Sequence, residues 1–231
     1  MKRISCKVDE ISKLNDYVYR VRLSPESETV YQPGQYLQLV LSDEDKRIFS
    51  IASAPHQAHI ELHIGAAQSD DYPRQAIEHL QANAIVEIEL ASGLAFLRED
   101  TNRPRLLIAG GTGFSYVHSM LQHMLTQTSN PATTVIWGCR NSSDMYYYEQ
   151  MQDWANAHPW LEFIAVIEQQ PQPLTAHQGM LLDTVCQLYP DLSQYDVYLA
   201  GRFEMAKTAK PLFSEHKVNP EHLFGDAFSF V

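Results

Sequence analysis

The chain is poor in cysteine. Its 231 residues hold three, Cys6, Cys139 and Cys186, far apart and without CxxC spacing. That excludes a disulfide framework and a cysteine zinc site, and fits reduced thiols in a cytoplasm. Long apolar runs are also missing: no stretch of about 18 apolar residues is present to span a bilayer. The start, MKRISCKVDE, has a basic tip but no apolar segment behind it, so it does not read as a secretion signal. Positive charge is in short supply. Seventeen Lys and Arg stand against 28 Asp and Glu, a formal charge of −11, and no dense basic stretch offers a nucleic-acid or anionic-membrane surface. Internal repeats and low-complexity tracts are absent too. What remains is a globular composition, 45% hydrophobic and 19% charged, long enough for one large domain or two small ones.

The periodicity changes part-way along. Up to about residue 100 it is two. In Tyr17–Leu23 both tyrosines, Val21 and Leu23 share a face and the arginines take the other. Pro33-Gly34 turns the chain into Tyr36–Leu41, the acidic loop Ser42–Asp45 precedes an apolar stretch from Ile48 to Ala52, and His59–Ile64 and Val86–Leu90 alternate again. Short strands divided by turn residues predict an antiparallel barrel or sandwich, with one short helix around Arg74–Leu80.

The second half predicts a different architecture. Arg105–Ala109, Thr133–Trp137, Leu161–Ile167 and Asp196–Ala200 read as strands. Between and after them, helical patterns fall at Val117–Leu125, Tyr146–Ala157, Met180–Leu188 and Met205–Phe213. Strand–helix alternation means a parallel sheet with right-handed crossovers. The polar segment Arg98–Arg103, ending before Pro104, is the natural boundary. The expected organisation is therefore β plus α/β in two domains: an antiparallel β-barrel over residues 1–100 and a parallel-sheet α/β domain over 101–231.

Chemistry concentrates at two glycine turns. Gly110-Gly111-Thr112-Gly113-Phe114-Ser115 lies between a buried strand and an amphipathic helix, where glycine lets backbone approach a phosphate and the helix start attracts anions. The dinucleotide fingerprint is incomplete, because Tyr116 takes its third glycine position. No carboxylate follows the next strand before Asp144; Cys139-Arg140 stands there instead, which makes use of either NADH or NADPH conceivable. Gly201-Arg202-Phe203-Glu204-Met205 repeats the strand–glycine–helix arrangement on the last parallel strand. The ten histidines are scattered, and His118 and His123 are five apart rather than the four a helical zinc motif needs. They read as surface or hydrogen-bonded core groups, with no metal site.

Three co-ordered motifs carry a resemblance. Arg47-Ile48-Phe49-Ser50, the GGTG turn and the GRFEMAK turn resemble the ferredoxin–NADP reductase superfamily. Pro33–Tyr36, His63-Ile64-Gly65 and Phe224–Phe228 narrow it to the bacterial NAD(P)H:flavin oxidoreductases of Fre/LuxG type. The resemblance spans essentially the whole chain. It implies a flavin domain followed by an NAD(P)H domain, and reduction of free riboflavin, FMN or FAD by hydride transfer from nicotinamide C4 to flavin N5. Reduced flavin would leave for ferric iron, an oxygenase or a luciferase. It further implies that Arg47, Phe49 and Ser50 line the flavin ring and that Ser50, the catalytic candidate, hydrogen-bonds N5. His63, Ile64 and Gly65 would border the ring through backbone groups, with Phe228 beside it. Gly111, Thr112, Gly113, Phe114 and Ser115 would hold the nicotinamide nucleotide, with Cys139, Arg140 and Gly201 to Met205 completing its cleft. Asp70 and Asp71, ahead of the short helix, disfavour the phosphate grip that retains FAD, so flavin is expected as a substrate. The competing readings are an electron-transfer reductase with tightly bound FAD that serves a protein partner, and a flavin- or nucleotide-binding module without activity.

Overall fold

The computed structural model describes residues 2–169 and 174–230. It divides into two compact units, residues 1–97 with 118–126, and residues 98–117 with 127–231.

The first unit is an antiparallel six-stranded sheet built from β1 (Lys2–Lys13), β2 (Val18–Pro25), β3 (Tyr36–Val40), β4 (Lys46–Ser50), β5 (Ile60–Gly65) and β6 (Ile85–Ser92). The order is β4-β3-β6-β1-β2-β5. Ile51, just past β4, bridges Leu62 of β5, so the two outer strands meet and the sheet curls into a barrel. Inward side chains such as Val21, Leu23, Leu37, Leu39, Leu62 and Ile64 are fully buried. The helix α1 (Asp71–Ala82) contributes Pro73, Ala76, Ile77 and Leu80, the i, i+3, i+4, i+7 stripe that packs on this core. The longest strand, β1, falls where no strand was singled out from the sequence. In β5, Glu61 and His63, which its alternation sends away from the barrel core, are buried as well.

The second unit is a parallel six-stranded sheet: β7 (Arg105–Gly110), β8 (Thr133–Cys139), β9 (Leu161–Ile167), β10 (His177–Gln178), β11 (Asp196–Ala200) and β12 (Leu223–Phe224). Every pairing is parallel and the order is β10-β9-β8-β7-β11-β12. The helices are α2 (Phe114–Met124), whose residues from 118 on group with the first unit, α3 (Tyr148–Ala157), α4 (Leu181–Leu188) and α5 (Phe203–Glu215). The central strands are buried almost throughout, as strands covered on both faces must be. Met120 and Met124 are core residues. The chain winds outward from β7 through β10, then returns to lay β11 on the other side of β7. That reversal is the topological switch point where ligands of open parallel sheets bind, beyond the strands' carboxyl ends.

Candidate functional site

At the switch point the GGTG turn is a fitted piece of backbone. Gly110 ends β7, Gly111 adopts φ +53°, and Gly111–Gly113 form one 3-10 turn before α2 begins at Phe114. Gly111 supplies the left-handed conformation that other residues resist. Gly113 has another reason: a Cβ there would lie 2.9 Å from Gly201 N and closer still to the Ala200 carbonyl. The two glycine turns therefore touch backbone to backbone. Met205 of α5 fills the space between them, since a Cβ on Gly110 would meet its sulfur at 2.8 Å. From the adjacent β8, Trp137 donates Nε1–H to the Gly111 carbonyl at 2.9 Å and stacks on Phe114 with centroids 3.9 Å apart. Ser115 donates its hydroxyl to Thr112 O at 2.9 Å.

Those contacts sort the candidate residues. Phe114 and Ser115 are buried and shape the turn from inside. Cys139 is buried too, and burial pushes its thiol far above the ordinary value, so it packs rather than reacts. Arg140, Arg202, Phe203 and Glu204 are exposed on the same edge of the sheet, Phe203 by 58%. Thr112 and Met205 are half-buried. Phe228 stacks over Gly225, where a Cβ would lie 2.9 Å from its ring, and packs against the core of this unit. Trp137, which pins the turn, was not among the expected site residues, because a tryptophan inside an apolar strand reads as core.

In the barrel unit, Arg47, Phe49 and Ser50 are half-buried on β4. Arg47 makes a two-pronged ion pair with Asp45 (Nη2 to Oδ2 2.6 Å), donates Nη1–H to Tyr72 O at 3.0 Å and Nη2–H to Gln75 Oε1 at 2.9 Å. Its guanidinium also lies 4.5 Å from the centroid of the Tyr72 ring. Tyr72 in turn accepts the Ile48 N–H on its hydroxyl at 2.7 Å and stands 6.3 Å from Phe49. This tyrosine, beside the two aspartates, ties α1 to β4. The α1 start is already occupied: Asp70 caps it by accepting the Tyr72 N–H, and Asp71 pairs with Arg74 at 2.6 Å. Among the described residues the Ser50 hydroxyl has no hydrogen-bond partner. The side chains of His63 and Ile64 are buried, which leaves backbone as what this part of β5 can present to a flavin.

Over 99% of both chains, the sequence is 39% identical to an NAD(P)H-flavin reductase of Vibrio harveyi and 40% identical to one of Aliivibrio fischeri. The chain belongs to the NAD(P)H-flavin reductase family. Consistent with that membership, residues 107–211 match the model of the oxidoreductase NAD-binding domain. The fold is similar to that of the Amycolatopsis cytochrome P450 reductase GcoB, with a TM-score of 0.85 at 21% identity, covering 97% of this chain and 69% of that one. It is also similar to the FAD/NAD-binding domain of nitric oxide dioxygenase from Vibrio cholerae, with a TM-score of 0.80 at 19% identity and 96% coverage of each. For a flavin reductase, the absence among the described residues of a helix long and apolar enough to cross a membrane is unremarkable.

Proposed function

We propose that this flavin reductase takes NADH or NADPH and a free flavin, whether riboflavin, FMN or FAD, and releases the reduced flavin. The chemistry the two nucleotides supply is one hydride, passed from nicotinamide C4 to flavin N5, so the protein's task is to orient and to exclude water. Ser50 holds the flavin edge by donating its uncommitted hydroxyl to N5. Phe49 lies along the ring, and Arg47, fixed by Asp45 and Tyr72, is kept rigid beside it. The β5 backbone at His63, Ile64 and Gly65 borders the ring, with Phe228 a further candidate. In the parallel-sheet unit the N–H groups of Gly111 to Ser115 hold the nucleotide's phosphates, and Cys139-Arg140 and Gly201–Met205 edge its cleft. With no carboxylate at the end of β8 until Asp144, which bonds to Asn141 N at 3.1 Å, a ribose 2′-phosphate is tolerated.

The observation that favours substrate over resident flavin is the α1 start. The Tyr72 N–H in its first turn is capped by Asp70, Asp71 adds a second carboxylate, and Tyr72 closes over Arg47. A pyrophosphate there would meet negative charge and compete with the hydrogen bonds that hold Tyr72. The purified enzyme is therefore expected to emerge from desalting colourless and to oxidise NAD(P)H when flavin is added. A yellow protein with stoichiometric FAD would overturn this reading in favour of a reductase with bound flavin. The absence of turnover with all three flavins and both nicotinamides would leave only a binding module. Cytoplasmic location, and delivery of reduced flavin to ferric iron, an oxygenase or a luciferase, belong to the same proposal.

A further inference from the structure

One buried polar cluster has no part in the flavin chemistry. Glu61, His63 and His118 are each buried, and one ligand atom from each lies within 4.8 Å of the other two. All three belong to the antiparallel unit. Glu61 and His63 are two apart on β5 and so share a face. His118 comes from the part of α2 grouped with that unit, its ring centroid 5.2 Å from that of His63.

Each group is already oriented by a partner outside the cluster or by its neighbour within it. Glu61 Oε2 accepts from Arg22 Nε at 2.9 Å, which leaves Oε1 toward His63 Nε2 at 3.0 Å. His118 Nδ1 lies 2.9 Å from the Ala52 carbonyl. With Nδ1–H donated to that carbonyl, rather than Nδ1 accepting from the Gln122 amide 2.7 Å away, the Nε2 lone pair faces an incoming ion.

We propose that Glu61, His63 and His118 form a binding site for a divalent transition-metal ion of the zinc class. Two imidazoles and one carboxylate are a donor set such ions prefer, whereas calcium and magnesium need six or more oxygens. A tetrahedral ion with bonds of about 2.0–2.1 Å places neighbouring donors roughly 3.3 Å apart. The existing 3.0 Å between His63 and Glu61 is within a few tenths of an ångström of that spacing. On binding, the His63 proton leaves Nε2 and Nδ1 takes one up, so both rings ligate as neutral imidazoles and no net proton is lost. Arg20 and Arg22 are offset by Glu10 and Glu61, so nothing nearby compensates a hard cation; the ion must be held by its bonds to nitrogen. Its effect is to clamp residues 118–126 to β5.

The test uses the full chain, freed of metal with a chelator and titrated with zinc chloride by calorimetry, with melting temperature followed in parallel. Wild type is expected to bind one ion per chain and to melt higher with zinc. His118→Asn, with an unchanged melting temperature in chelator, is expected to lose both effects. Cobalt(II) bound to wild type should show the visible bands of a tetrahedral nitrogen and oxygen site. If wild type binds no zinc, or if His118→Asn binds it equally, as surface histidines such as His56 or His177 would allow, the site does not exist. Neither readout depends on turnover, so the result is separate from the fate of the flavin reading.

Discussion

Ser50 and Asp71 are where single side chains can be weighed. Ser50 contributes a hydroxyl with no protein partner among the described residues, and the bond proposed for it to flavin N5 should matter in the reacting complex. Ser50→Ala is expected to slow single-turnover hydride transfer at saturating flavin by roughly tenfold, what one hydrogen bond is worth at its upper end. An unchanged rate removes Ser50 from the mechanism. Asp71 acts by charge. It is exposed and, among the described residues, paired only with Arg74, so replacing it should cost the fold little. Asp71→Lys is expected to lower KM for FMN relative to riboflavin by about two- to fivefold, since a cation in place of an anion at a helix start is felt by the phosphate. Equal KM shifts for the two flavins would show that the phosphate lies elsewhere. Both residues were legible from sequence as types in a pattern. Tyr72, which covers Arg47, was not: its role depends on β4 and α1 coming together, and nothing local specifies that.

Among elements, the glycine turns show how position in the chain and reason for being there diverge. Strand–GGTG–helix is readable because the flanking periodicities change at the glycines. The explanation drawn from sequence was backbone approach to a phosphate. The structure adds that Gly113 is required by the β11 turn packed against it. Gly113→Ala should therefore shift both turns, at about 1–3 kcal/mol in stability for an overpacked site, and raise KM for NADH far more than KM for flavin. Equal effects on the two would mean that the turn is structural only. Strands were legible where alternation was regular, as in β3 and β6. In β1 the alternation of Ile4, Cys6 and Val8 is thrown out of phase by a bulge between Val8 and Glu10, which hides the strand. The two-residue strands β10 and β12 are defined only by the neighbours they pair with, β9 and β11.

The whole molecule carries a formal charge of −11 and takes a polyanionic donor. Long-range repulsion should slow its capture at low salt. KM for NADH is expected to fall as ionic strength rises from about 0.01 to 0.15 M, where the screening length shrinks from about 30 to 8 Å. KM for uncharged riboflavin should stay flat. A rising KM for NADH would mean that local positive charge, such as Arg140 and Arg202, outweighs the net field.

Sequence by itself determined the two architectures, the order of the strands and helices with a regular period, and the residue types at both turns, because hydrophobic period and glycine placement are local properties of the chain. Only the tertiary structure decided that Met205 and Gly113 lock the turns together, that Tyr72 occupies the α1 start, and that Glu61, His63 and His118 converge. Those contacts join residues remote in sequence, and closing such distances is set by how buried surfaces fit, which no short stretch of the chain encodes.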